Sequence, residues 1–244
     1  MIPKTIHYCW FGRNPLPPLA IECIESWKKF LPDYEIKEWN EDNFDVNMIP
    51  YTSEAYKKKK YAFVSDFARF WILYHYGGLY FDTDVKIIKP MNDIIENGAF
   101  MGFERDPEKK RRGLVNPGLG LGFGKGHTFL KQMLDYYEQL HFIDNDGSLL
   151  TNKTIVHYTT DMLQSLGLND KKLQQICDIT VYPAEYFAPI HFVTKRLHIT
   201  NNTRSIHCYM GSWANKKESF IEKIRMMLPE WLLIIINRCK RKED

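Results

Sequence analysis

The stretch Ala62-Phe63-Val64-Ser65-Asp66-Phe67-Ala68-Arg69, followed from position 73 by Leu73-Tyr74-His75-Tyr76-Gly77-Gly78-Leu79-Tyr80-Phe81-Asp82-Thr83-Asp84-Val85, decides the fold. Residues 62–76 are strongly apolar and read as a helix, with Gly77-Gly78 as its C-terminal cap. Residues 79–81 and 85–88 read as strands around a polar break, ended by Pro90. Alternation puts Tyr80, Asp82 and Asp84 on one face. Carboxylates at a strand end are costly unless they are paired or bind a metal. Two on one side make a hard oxygen site suited to Mg2+ or Mn2+, completed by water and substrate phosphates. A turn held by Asx hydrogen bonds would carry the same three residues, so the flanks matter. Asp66 and Arg69, at i and i+3, project from one side of the helix. On so apolar a helix they must pair with each other, find other partners, or face a polar cleft.

Upstream, residues 5–11 are β-branched and aromatic and read as a strand ending in a loop. Residues 20–30 carry apolar side chains at helical spacing, Ile21, Ile24 and Trp27 with Leu31 beyond, and Pro32 stops them. Residues 34–39 alternate like a half-buried strand. A β–α–β start favours an α/β sandwich with a largely parallel sheet. Ligands of such sheets sit beyond the carboxyl ends of strands, which directs attention to Trp10. The four lysines from Lys57 to Lys60 read as a solvated helix face. Downstream, residues 99–103 and 114–123 read as strands, 126–140 and 159–166 as helices, and 179–182 and 204–209 as strands. Internal repeats and low-complexity linkers are absent from the sequence. One domain is expected over residues 1–225, with 226–244 as a C-terminal helix, apolar and then basic.

The 244 residues are 44% apolar and 26% charged, which excludes a disordered chain. No window reaches the ~18 uncharged apolar residues of a membrane span. A net charge of +3 is weak for a nucleic-acid partner, so none is expected. The five cysteines are scattered without a CxxC, which argues against a disulfide framework or structural zinc and for a reduced, cytoplasmic chain. The start lacks a signal-peptide pattern. In the tail, Met226-Met227-Leu228-Pro229-Glu230-Trp231-Leu232-Leu233-Ile234-Ile235-Ile236 precedes Arg238-Cys239-Lys240-Arg241-Lys242. Such a segment suits either peripheral contact with an anionic inner membrane face or a helix packed on the domain.

The blocks at 62–69 and 73–85 resemble the signature of the DXD-containing glycosyltransferase family, the glycosyltransferase sugar-binding region family that includes the yeast initiating mannosyltransferase. They also resemble the catalytic core of the large glucosylating toxins. Ile2-Pro3-Lys4-Thr5-Ile6-His7-Tyr8-Cys9-Trp10-Phe11-Gly12 resembles the same family's opening strand, and Ser26-Trp27, Leu31-Pro32-Asp33-Tyr34 and Trp39 continue the match. The similarity is strong over roughly the first 105 residues and weaker to residue 213.

The resemblance implies a GT-A type nucleotide-diphospho-sugar transferase fold, a Rossmann-like α/β/α sandwich using Mn2+ or Mg2+. Trp10 matches the aromatic that stacks on the nucleotide base, and Tyr80 a residue beside the nucleotide. Asp66 and Arg69 match residues that contact the donor sugar and hold the cleft. Asp82 matches the carboxylate near the ribose and metal-bound water, and Asp84 the direct metal ligand. His207-Cys208-Tyr209-Met210-Gly211-Ser212-Trp213 looks like the segment that closes over the diphosphate. His207 then becomes the third metal ligand, with Ser212 and Trp213 as a lid. Asn116 would place an amide near the donor sugar. The implied reaction is transfer of a hexose from a nucleotide-diphosphate sugar to a glycan, with retention at the anomeric carbon. A lipid-linked glycan in surface polysaccharide (capsular polysaccharide) synthesis would suit the tail.

Two other classes share pieces of this pattern. A HAD-like phosphohydrolase also uses a DxD after a strand, but here Val85 follows Asp84 and the helix–Gly–Gly–strand context departs from it. A non-catalytic carbohydrate- or nucleotide-binding module would bind the donor without consuming it.

Overall fold

The computed structural model describes residues 1–109, 111–190 and 196–210. The expected β–α–β start is present as β1 (Thr5–Cys9), α1 (Pro18–Phe30) and β2 (Glu35–Trp39). β1 and β2 run parallel, from Thr5 opposite Glu35 to Cys9 opposite Trp39. Pro18 opens α1 where a missing N–H is tolerated, and the helix ends at Leu31, before Pro32. α1 buries Ala20, Cys23, Ile24 and Trp27 but leaves Ile21 50% exposed, so its buried stripe is rotated from the expected one. The Trp27 indole donates to the Val85 carbonyl at 2.7 Å and ties α1 to the segment after the DXD turn.

α2 (Pro50–Lys57) is a helix that the sequence pattern did not announce, because only Tyr51, Thr52 and Ala55 of its eight residues are buried. Lys57 is its last residue, and Lys59 adopts φ 57°. The lysine run therefore ends a helix rather than lining a face of one. α3 (Tyr61–Tyr76) follows, buried over most of its circumference. It leads through Gly77 into β3 (Gly78–Tyr80). At Gly78, φ is 110° and a Cβ would lie 2.6 Å from the Thr5 carbonyl, so glycine lets β3 close onto β1.

Beyond the DXD turn come β4 (Val85–Ile87), α4 (Asn92–Ile95) and β5 (Phe100–Arg105). The strand expected over 114–123 is instead β6 (Leu114–Val115), a 3-10 turn (Pro117–Leu119) and β7 (Leu121–Phe123). Pro117 and the Asn116 side chain, which accepts the Gly118 N–H, break the strand there. The remaining elements are α5 (Thr128–Glu138), α6 (Ile155–Ser165), β8 (Gln174–Ile176), β9 (Ile179–Tyr182), α7 (Ala184–Phe187) and β10 (Ser205–His207).

The main sheet has the order β2-β1-β3-β7-β5-β9-β8, with β6 paired to β5. β1 pairs in parallel with β2 and β3, and β5 with β9, whereas β7 and β8 run antiparallel to their neighbours. Alternation along β3 divides the core between the two faces. Tyr80 joins the cluster with α3, α5 and α6 residues such as Phe70, Met133 and Leu163. Leu79 and Phe81 join the cluster with Trp27, Ile94 and Phe187 on the opposite side. This is the expected α/β/α sandwich. β10 stands apart, antiparallel to β4, with His207 opposite Val85. No helix among the described residues is long and apolar enough to cross a membrane. The apolar and basic segment 226–244, like Ser212 and Trp213, lies outside the described residues.

Candidate active site

The parallel register between β1 and β3 sets His7 opposite Tyr80. Both strands therefore end at one edge of the sheet, Trp10 three residues beyond His7 and Asp82 two beyond Tyr80. Asp82 and Asp84 lie in the turn before β4, and the β4–β10 pairing brings His207 up beside them. One ligand atom from each of Asp82, Asp84 and His207 lies within 4.8 Å of the others. The sequence grouped these three residues across more than a hundred positions, and the fold brings them together.

Asp84 is 8% exposed. Its Oδ1 is 3.1 Å from His207 Nε2, and its Oδ2 accepts the Met210 N–H at 2.8 Å. Burial pushes the Asp84 carboxyl up, but the imidazole and the Met210 N–H outweigh it and hold it below the usual range. Burial likewise disfavours the charged imidazole, yet the charge and hydrogen bond of Asp84 leave His207 above its ordinary value. His207 Nδ1 is buried with no hydrogen-bond partner among the described residues. Two carboxylates and an imidazole this close, largely shielded from water, fit a divalent cation. The imidazole favours Mn2+ over Mg2+.

Asp82 is less enclosed, its side chain 29% exposed. It accepts hydrogen bonds from Tyr80 OH at 3.1 Å and Arg69 Nη1 at 3.4 Å. Arg69 Nη2 lies 3.0 Å from Asp66 Oδ1 and 3.3 Å from Asp82 Oδ1, and Arg69 Nε donates to the Ser65 carbonyl. The guanidinium also sits 4.9 Å from the centre of the Tyr80 ring. Arg69 is 3% exposed and Asp66 7%, so this ion pair underlies the cleft. Burial raises Asp66 to about 7, with Arg69 pulling it down and Asp82 pushing it further up. Burial also raises Asp82, against the pull of Arg69. Tyr80, expected beside the nucleotide, is 1% exposed and reaches the cleft through its bond to Asp82.

Trp10 is half-buried, its indole N–H donating to the Asn14 carbonyl at 2.6 Å. With Arg13, Asn14, Glu38, Asn40 and Glu41 it lines a cleft of about 260 Å3. Glu41 holds the neighbouring loop by accepting the Gly12 N–H and the Tyr56 hydroxyl. Asn116, expected to offer an amide to the sugar, is 8% exposed and bonded on both sides within the protein, to Gly118 and Glu104. Glu104 was not among the expected site residues, and Met210 was expected only as part of the segment closing over the diphosphate. Glu104 had a signal, a charge closing the apolar run Phe100-Met101-Gly102-Phe103; the contact of Met210 is made by its backbone N–H, which its side-chain identity does not report.

Residues 17–101 match the family model described as glycosyltransferase sugar-binding region containing DXD motif, and the resemblance read from the sequence stands on that segment. Inositol phosphoceramide mannosyltransferase 3 of Schizosaccharomyces pombe is 30% identical over 137 residues, 54% of this chain and 36% of that protein. An uncharacterised glycosyltransferase of Acanthamoeba polyphaga mimivirus is 27% identical over 224 residues, 88% of this chain and 84% of that one. The chain spans about a third of the length of the Schizosaccharomyces pombe mannosyltransferases it matches, 36% and 33%. Among solved structures, a glycosyltransferase involved in the glycosylation of the major capsid of PBCV-1 superposes with a TM-score of 0.52 at 12% identity, covering 93% of this chain and 100% of that one. The shared architecture is the GT-A type α/β fold.

Proposed function

With a sugar-binding DXD region over residues 17–101, we propose that this chain is a metal-dependent, retaining glycosyltransferase that moves a hexose from a nucleotide-diphosphate sugar to a glycan hydroxyl. The observation that carries this is the convergence of Asp82, Asp84 and His207 above the buried Asp66–Arg69–Asp82 ion network. A divalent cation held by these three side chains would neutralise the charge that develops on the diphosphate leaving group. Arg69 and Tyr80 fix the Asp82 carboxylate, and the Met210 N–H and His207 fix that of Asp84, so both are oriented before a donor arrives. Trp10, at the same sheet edge, offers an aromatic face to the base.

Asp66 is the carboxylate in this network that a double displacement would call on as nucleophile. It is buried, bonded to Arg69 and raised towards neutrality, which suits holding the sugar and opposes nucleophilic attack. Front-face attack follows, with the leaving phosphate taking the acceptor's proton. The test is a panel of nucleotide sugars with Mn2+, with the product's anomeric configuration read by NMR. Donor consumption with a retained product supports the reading, an inverted product rejects the stereochemistry, and binding without turnover indicates a binding module.

A lipid-linked glycan at the inner membrane face, in surface polysaccharide synthesis, is the acceptor that the 226–244 sequence supports. Deletion after Pro229 should release the protein from anionic liposomes; equal binding by both forms rejects membrane contact.

A further inference from the structure

We propose that Glu104 is a positioning residue for the Asp82–Asp84–His207 centre and acts through the side chain of Asn116; this rests on reading that centre as the metal and donor site. Glu104 lies near the end of β5, half-buried, and its Oε2 accepts Asn116 Nδ2 at 2.6 Å. The other end of the same amide, Oδ1, accepts the Gly118 N–H at 2.7 Å. An amide oxygen cannot donate and its nitrogen cannot accept, so the carboxylate dictates which way Asn116 faces. Turned over, Asn116 would set its oxygen against Glu104 and its N–H groups against that of Gly118. With Asn116 only 8% exposed, water cannot readily repair such a mismatch.

Gly118 is where this chain of contacts reaches the centre. Its carbonyl accepts the Asp82 N–H at 3.2 Å. A Cβ at this position would stand 2.1 Å from Asp82 Oδ2, so the turn packs directly on the carboxylate. Any shift of residues 116–118 therefore moves Asp82, whose ligand atom must stay within reach of Asp84 and His207.

Four variants test this: Glu104→Ala, Glu104→Gln, Asn116→Asp and the double variant Glu104→Gln/Asn116→Asp. Each is measured for Mn2+ affinity, from the free-ion EPR signal, for kcat and KM of donor turnover, and for thermal midpoint. Glu104→Ala should lose about tenfold or more in Mn2+ affinity, the scale seen when a group that orients a metal ligand is removed. Asn116→Asp should lose as much, because two carboxylates then face each other. Glu104→Gln should stay near wild type, since its oxygen still accepts from Asn116. The double variant should recover, because Gln can donate to an Asp that still takes the Gly118 N–H.

Unchanged Mn2+ affinity in Glu104→Ala overturns the proposal, as does a lowered thermal midpoint alone. A Glu104→Gln as damaged as Glu104→Ala, or a double variant that does not recover, overturns it too. A wild-type protein that binds Mn2+ and consumes no donor would refute the transferase reading while the Mn2+ measurements still decide the role of Glu104. A wild-type protein that binds no Mn2+ refutes both.

Discussion

Arg69 Nη2 stands 3.3 Å from Asp82 Oδ1, so a helix side chain supplies the counter-charge for the first carboxylate of the DXD turn. The same nitrogen lies 3.0 Å from Asp66, and the guanidinium side chain is only 4% exposed. One cation thus compensates two carboxylates, one of them buried. Arg69→Met should destabilise the protein by about 3–5 kcal/mol, because it strands buried negative charge. Asp66→Asn should cost less, since the amide keeps an acceptor for Arg69 and removes the charge that burial opposes. Urea unfolding midpoints measure both. An Arg69→Met protein as stable as wild type would mean that the carboxylates take up protons without penalty and the network is not structural.

Metal binding should depend on the DXD turn and on β10 together. Asp84→Asn and His207→Ala should each weaken Mn2+ binding by more than about 100-fold, beyond the usual effect of losing a group that only orients a ligand. Mg2+ should bind more weakly than Mn2+ to the wild type and lose less on removal of His207, because imidazole contributes little to Mg2+. Titration calorimetry with each ion checks this. Wild-type Mn2+ affinity in His207→Ala would remove β10 from the site.

Trp10 lies past the end of β1 and makes no ligand atom available to a metal. Trp10→Ala should weaken nucleoside diphosphate binding by about 1–3 kcal/mol, the range for base–aromatic stacking, and leave metal affinity unchanged. Trp10 is half-buried and packs at the edge of the core, and among the described residues its indole N–H donates to the Asn14 carbonyl, so the fold should tolerate the change at a modest cost in stability. If nucleoside diphosphate affinity is the same in variant and wild type, the cleft beside Trp10 is not the base site.

The elements read directly from sequence are those whose pattern is local. The apolar run 62–76 with Gly77-Gly78, and the strand that carries Tyr80, were legible because cap, period and punctuation coincide within a few residues. α2 was not, because its buried residues Tyr51, Thr52 and Ala55 do not form a long apolar stripe. The break at Asn116-Pro117-Gly118 was hidden by the apolar residues on either side, although Pro117 should have demoted the strand. In the site, Asp82 and Asp84 are only two positions apart, so their proximity was legible from the sequence, although a turn rather than strand alternation sets it. Glu104 carried only the mark of a charge closing an apolar run, and its link to the site, like that of the Met210 N–H, depends on pairings of distant strands that a single sequence does not report.

His7 gives a prediction about stability that is independent of the site's chemistry. Its Nε2 donates to the Gly77 carbonyl at 2.9 Å, and its Nδ1 accepts the Trp39 indole N–H at 3.1 Å. Gly77 can only accept there and Trp39 can only donate, so the ring is held neutral in one tautomer. Burial lowers its pKa to about 4; the bond to Gly77 works against this and Lys37 adds to it. An unfolded histidine titrates near about 6.5. Between these values the unfolded chain binds a proton that the folded chain refuses, so stability from His7 is fully present above about pH 6.5 and lost as pH falls towards about 4. Asp66, raised to about 7, titrates in the opposite sense over much of the same window. The contribution of His7 therefore has to be read as the difference between wild type and His7→Gln. That difference should be flat above about pH 6.5 and shrink by about 3 kcal/mol as the pH is lowered to about 4. Urea midpoints at a series of pH values measure it. A difference that stays constant across the window would show that the imidazole accepts a proton in the folded state, against the two hydrogen bonds that hold it.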